Sequence, residues 1–135
     1  MDSCVLIAAV NPADSGHSPA AEFFDVAAQR GDTLFVAATS LWDIGSALSH
    51  PGKRQEGSPL NKAFRANVLT VPIDEELFKR AWSVVKAPVK GADRIVLSCA
   101  VDLNCTLVTS DNGLLSNSVT FGVRAITPRQ YVDER

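Results

Sequence analysis

Four aspartates stand at the borders of apolar segments. Asp111 lies in the turn Ser110-Asp111-Asn112-Gly113, just past the β-branched run Thr106-Leu107-Val108-Thr109. Asp93 opens the apolar helical stretch 95–103 that feeds that run, and Asp43 and Asp2 hold comparable border positions. Open α/β folds build their sites where strands end and helices begin. Carboxylates gathered there, with no His or Cys cluster, make an oxygen-only pocket for a hard cation. The chemistry implied is that of a metal-dependent enzyme.

Each acid also has a local use. Ser40-Leu41-Trp42-Asp43 fits a capping box with Asp in place of Glu, and one rotamer of Asp43 cannot both cap and face the sheet edge. Asp93 follows Gly91-Ala92, where Asp is a good N-cap. Asp111-Asn112-Gly113 is a strong turn sequence. Taken singly, capping or turn formation and site formation both stay open for these acids. Asp74 and Glu75 suit a helix amino end, Asp14 a turn, and Asp25, Asp102 and Asp133 solvated faces or the tail. His17 and His50 have no paired ligands nearby and read as surface or helix-start residues. Trp42 and Trp82 read as packing residues rather than platforms for stacked bases.

The elements that must position the acids alternate between strand and helix. Ser3–Val10 is short and apolar; Ala8 and Ala9 lower its β preference, so it reads as a helical turn. Ser18-Pro19 reads as N-cap and first residue of a helix that buries Phe23, Phe24 and Ala27 and stops near Gly31. Thr33–Ala37 is a buried strand. A helix from Ser40 carries Leu41, Ile44 and Leu48 at helical spacing and ends before Pro51. Residues 50–61 have the composition of an exposed flexible loop. A strand over 68–71 follows, then an amphipathic helix over 74–86 with Leu77, Phe78, Ala81, Val84 and Val85 on one face. The helix from Asp93, a strand over 106–109, a short helix near Leu114 and a last strand over 123–126 complete the pattern. This α/β order implies a parallel sheet covered on both faces. At 135 residues the chain reads as a single domain over 1–135.

Apolar residues make up 46%, too many for a disordered chain. A net charge of −2 gives no overall attraction to nucleic acid or to an anionic membrane. Yet nine of the thirteen basic residues fall between positions 53 and 94, which allows a local basic face. Cys4, Cys99 and Cys105 cannot all pair with one another and match no zinc or redox spacing. They read as buried free thiols, which fits a reducing cytoplasm. No apolar run reaches the length of a membrane span, and the amino end lacks the features of a signal peptide.

Jointly the motifs resemble a known family. Asp2-Ser3-Cys4-Val5-Leu6-Ile7-Ala8 is similar to the opening of PIN domains, and Thr39-Ser40-Leu41-Trp42-Asp43-Ile44 looks like the segment carrying their second acid. Ala92-Asp93-Arg94 before an apolar helix resembles the third, Leu107-Val108-Thr109-Ser110-Asp111 the fourth, and Ala125-Ile126-Thr127-Pro128 the closing strand. The compact size and the helix pair after the first acid look most like VapC-type toxins of toxin–antitoxin pairs. That resemblance implies a three-layer α/β/α sandwich with a five-stranded parallel sheet. It implies a Mg²⁺- or Mn²⁺-dependent ribonuclease acting on single-stranded or structured RNA. It also implies a homodimer, inhibited by a VapB-like antitoxin.

On the same resemblance, Asp2, Asp93 and Asp111 contact metal directly or through water. Asp43 orients a metal-bound water or binds a second ion, and Thr109 and Ser3 support. Phosphodiester hydrolysis loads negative charge onto the transition state and the leaving oxygen, which carboxylates alone would repel. A metal they hold polarises the phosphate and acidifies a water; a second, ~4 Å away, stabilises the leaving oxygen. Repulsion among close carboxylates raises some of their pKa values, so metal affinity should fall in mild acid. Lys53, Arg54 and Arg94, from the basic stretch, are candidates for salt-sensitive phosphate contacts. A reading of another class leaves the acids as caps on a catalytically silent PIN-fold module that binds RNA or a protein partner.

The chain departs from the family pattern in four places. Asp43 is a methylene shorter than the usual Glu, Gly113 stands where many relatives carry an acid, and Cys4 replaces a Ser or Asn. The fourth is the central strand that family members form before the first Asp. Only Met1 precedes Asp2, against the ~5 residues of a typical strand. A truncated first strand would leave ladder groups unpaired on both neighbours. It would also set an α-amino group of reference pKa ~7.8 beside Asp2. The expectation is an upstream natural start, or a strand replaced by rearrangement, with an upstream extension raising stability and activity.

Overall fold

The computed structural model describes residues 1–49 and 67–134. The loop expected over 50–61, with Lys53 and Arg54, lies outside the described residues. The elements are α1 (Ser3–Val10), α2 (His17–Arg30), β1 (Thr33–Ala37), α3 (Ala38–Ser49), β2 (Asn67–Val71) and α4 (Glu75–Arg80). They continue as α5 (Trp82–Val85), α6 (Gly91–Asp102), β3 (Leu107–Val108), α7 (Asn112–Thr120), β4 (Ala125–Ile126) and α8 (Pro128–Asp133).

The strands form two parallel pairs. β1 runs beside β2 from Thr33 opposite Asn67 to Ala37 opposite Val71, and Leu107-Val108 of β3 lie opposite Ala125-Ile126 of β4. Between the pairs lies the amino end of the chain. The α-amino nitrogen of Met1 donates to Phe35 O at 2.6 Å, and Asp2 N donates to Val108 O at 3.0 Å. Where five strands are implied by the resemblance, the described residues thus form two short ladders joined by a two-residue bridge. The order across is β2, β1, Met1-Asp2, β3, β4.

Alternation along the strands then separates two faces. Leu34, Val108 and Ile126 enter a core with Val5 and Leu6 of α1, Phe23, Phe24 and Ala27 of α2, and Ile44 of α3. On the opposite face Ala37 and Val71 meet Leu77, Ala81 and Cys99, while Leu107 packs with Val96 and Leu97 of α6 and Leu114 of α7. Helices therefore cover both faces, giving the three-layer α/β/α arrangement.

Local signals explain most boundaries. α2 stops because Gly31 takes a left-handed conformation (φ 72°) and its N–H closes on Ala27 O and Ala28 O. The Asp74 side chain caps α4 by accepting from Leu77 N at 2.9 Å. Three expectations need correction. The helix expected over 74–86 breaks at Ala81 (φ −95°, ψ 24°) into α4 and α5. Trp42 and Trp82 are not buried packing residues: they are 82% and 50% exposed. Asp102 is no solvated acid, because Arg80 Nε and Nη2 donate to its two carboxylate oxygens at 2.6 and 3.1 Å. α8 was not expected, although Thr127-Pro128-Arg129-Gln130 forms a complete capping box with Pro in the first turn. Among the described residues no helix is long and apolar enough to cross a membrane.

Candidate active site

Asp2 is fixed from two directions. Its backbone N is held on Val108 O of β3, and it occupies the N-cap position of α1 without a side-chain cap bond. The carboxylate is buried and turns instead to neighbouring donors. Oδ2 accepts from the Thr109 hydroxyl and from the Cys4 thiol, each at 2.9 Å; Ser3 Oγ lies 3.4 Å from Oδ1. The thiol in the place of a Ser or Asn thus still donates. Burial, then the charge of Asp2, pushes Cys4 up to about 11, so at neutral pH it is a protonated donor.

Thr109 links two acids. Its side chain is fully buried at the end of β3, and its oxygen also accepts from Asp111 N at 3.0 Å. Asp111 in turn is the N-cap of α7, with Oδ1 accepting from Leu114 N at 2.9 Å. The cap occupies only one of its two carboxylate oxygens. A Cβ at Gly113 would lie 2.9 Å from that oxygen, so a side chain at this position would require the Asp111 carboxylate to shift.

Asp93 sits in the first turn of α6. The helix starts at Gly91 with Lys90 as N-cap residue, so the capping reading of Asp93 does not apply. Its carboxyl is pushed above the ordinary range, first by burial and then by the charges of Asp111 and Asp2, with Lys90 pulling the other way. Three acids from three chain segments therefore feel one another at this edge of the sheet. Asp43 is exposed on α3, inside a helix that begins at Ala38, and it is not among the charges acting on Asp93. Among the described residues no group of three or more His, Cys, Asp or Glu is close enough to hold a metal ion. The acids converge without forming a closed cage.

Arg94 is half-buried. Its Nη2 donates to Ala87 O at 2.9 Å and to Val89 O at 2.8 Å, bracing the segment that leads into α6, and its Nε is buried without a partner. Lys90, which the sequence reading did not single out, is the cation acting on Asp93. Its place three residues before that acid was the available signal. The Met1 amine, expected beside Asp2, spends its hydrogen bond on Phe35 O, and burial lowers its pKa from the ordinary value.

The order and chemistry of these acids agree with the family comparison. The PIN domain model matches residues 1–118, a span holding all four aspartates. The chain belongs to the PIN domain family. PIN domains are in general nucleases with RNA as substrate, and usually use divalent metals. No curated protein and no solved structure matches the chain significantly. The carboxylate donors suit a hard cation: Asp93, Asp111 Oδ2 and Asp2 Oδ1 have no strong internal partner that a metal must displace.

Proposed function

We propose that this PIN domain is a Mg²⁺- or Mn²⁺-dependent endoribonuclease, the toxin of a VapC-like toxin–antitoxin pair. The observation that carries this reading is that buried Thr109 ties two acids to one sheet edge, its hydroxyl donating to Asp2 Oδ2 and accepting from Asp111 N, with the charges of both acting on Asp93. A site for a divalent cation needs concentrated negative charge, and these acids supply it from three chain segments. Asp2, Asp93 and Asp111 would hold the ion. When bound, it would polarise the scissile phosphate and supply an acidified water.

The chain's own residues prepare the site for that ion. Thr109 and Cys4 fix one oxygen of Asp2, leaving the other for the ligand, and Ser3 lies beside it. Capping fixes Asp111 in the same way. Asp43, on the neighbouring α3, serves a water or a second ion from the outer edge. Lys53 and Arg54 contact RNA phosphates, while Arg94 contributes by bracing residues 87–89. A second copy of the chain and a VapB-like antitoxin are the protein partners.

The test is Mn²⁺-dependent cleavage of single-stranded RNA by the wild type and by Asp93→Asn. Metal-dependent cleavage that the substitution removes is the expected result. Equal rates for the two proteins would instead favour a catalytically silent module that binds RNA or protein.

A further inference from the structure

Most cations among the described residues are already committed. Lys79 pairs with Glu75 and Glu76, Arg80 with Asp102, Arg124 with Glu134 and Arg129 with Glu22. Arg30 donates to the carbonyls of Tyr131 and Glu134, and Arg94 to those of Ala87 and Val89. The exposed side chains of Lys86 and Lys90 make no ion pair among the described residues. Lys90 stands beside the acids. It is the N-cap residue of α6 and Asp93 is the third residue of that helix, positions whose side chains meet on the first turn. Burial, Asp111 and Asp2 push the Asp93 carboxyl up, and the charge of Lys90 pulls it down.

Two further features set Lys90 apart. A lysine has only donors and cannot cap a helix, and α6 has no side-chain cap bond. An Asp, Asn, Ser or Thr in its place would stabilise the helix by about 1 kcal/mol. The segment carrying it is also fixed. Val84 and Val89 are buried with Leu97, and Val89 N donates to Ala87 O at 2.8 Å. Arg94 grips the segment twice more, through Nη2 on the Ala87 and Val89 carbonyls and through its own N–H on Lys90 O at 2.8 Å. The Lys90 backbone is thus held to the turn that carries Asp93, and only its flexible stem is free to reach.

We propose that Lys90 receives the RNA backbone at this site, its ammonium bonded to a phosphate oxygen of the strand lying over the acids; this rests on the reading of Asp2, Asp93 and Asp111 as an RNA-cleaving centre. Three carboxylates holding one divalent ion keep a single net negative charge, which still repels a phosphate. One ammonium beside them cancels it. A lysine suits the task because a compact charge on a long stem follows a phosphate without demanding one geometry. Arg94 is the positioning residue that keeps this lysine in place.

The experiment measures binding of a fluorescein-labelled single-stranded oligouridine by anisotropy over a series of KCl concentrations. EDTA is present, so that metal-dependent cleavage does not intervene. The proteins are the wild type, Lys90→Gln, Lys90→Arg and the ion-paired control Lys79→Gln. Lys90→Gln should weaken binding at low salt and flatten the plot of log affinity against log salt by ~0.7, the loss of one phosphate contact on a single strand. Lys90→Arg should keep the slope, and Lys79→Gln should match the wild type. An unchanged slope in Lys90→Gln, equal flattening by Lys79→Gln, or no RNA binding by the wild type at low salt overturns the proposal. Mn²⁺ alone, followed by calorimetry, should bind Lys90→Gln at least as tightly as the wild type, since a nearby positive charge is gone. A several-fold loss there would make Lys90 a support for the acids and overturn the proposal too. Cleavage separates the two claims. If Asp93→Asn abolishes Mn²⁺-dependent cleavage while Lys90→Gln keeps the wild-type slope, the enzyme reading stands and this one fails. A flattened slope in a protein that does not cleave supports Lys90 as an RNA contact and removes the enzyme reading.

Discussion

The Thr109 hydroxyl donates to Asp2 Oδ2 and accepts from Asp111 N, so one buried oxygen sets the spacing of two acids. Thr109→Val keeps the shape and removes both bonds, leaving a buried carboxylate short of a donor. The expected loss is about 1–3 kcal/mol, read as a lower urea midpoint, with Thr109→Ser retaining most of the stability. Asp93 yields a pH prediction for the metal-free protein. Its folded pKa is raised above the ordinary value of 3.8. Between those two values the folded state binds more protons than the unfolded state, so stability falls as pH rises through that window. Asp93→Asn should flatten this part of the stability profile; an unchanged slope would remove Asp93 as its source. At this scale the sequence disclosed which residues were candidates but not their partners. Asp93 and Asp111 were legible as border acids, yet only the fold shows that one caps a helix and the other does not. Arg94 was read as a phosphate contact because its charge was visible and the carbonyls of Ala87 and Val89 were not.

α7 and α8 show how an element's end can be separated from its chemistry. Asp111→Ser keeps an N-cap oxygen while removing the carboxylate; Asp111→Ala removes both. The serine variant should stay within ~0.5 kcal/mol of wild type and the alanine variant should lose about 1 kcal/mol, while metal-dependent cleavage fails in both. Retained cleavage in the serine variant would reduce Asp111 to a cap. Thr127→Ala, at a capping box remote from the acids, should cost about 1 kcal/mol with cleavage unchanged. Helix starts of this kind are readable because the signal is local. Strand ends are not: β3 and β4 stop at two paired residues each, since pairing requires a partner and propensity at Thr106 or Val123 does not provide one. The break at Ala81 has no Gly or Pro to announce it. It lets Leu77 and Ala81 pack with Cys99 while Val84 turns to the second cluster with Leu97, a choice made by tertiary contacts.

Across the whole molecule, the alternation of strand and helix was enough to reach the three layers, because each strand's odd and even residues feed different cores. The surface was less readable: the periodicity that placed Phe78 and Leu77 on one face did not foresee the turn between α4 and α5. As a result Phe78 and Trp82 stack edge to face with ring centroids 5.3 Å apart, both about half exposed, near Ile73. Contiguous exposed aromatic and aliphatic groups of this kind mark association surfaces in soluble proteins, and aromatic anchors carry much of the energy of such contacts. If the second copy docks here, Phe78→Glu with Trp82→Glu buries two charges against it. The double variant should run as a monomer in light scattering where the wild type runs as a dimer, with its circular dichroism and urea midpoint preserved, since both side chains point outward. A dimer that survives the double substitution would move the interface elsewhere, and exposed Leu41 and Trp42 on α3 would be the next pair to change.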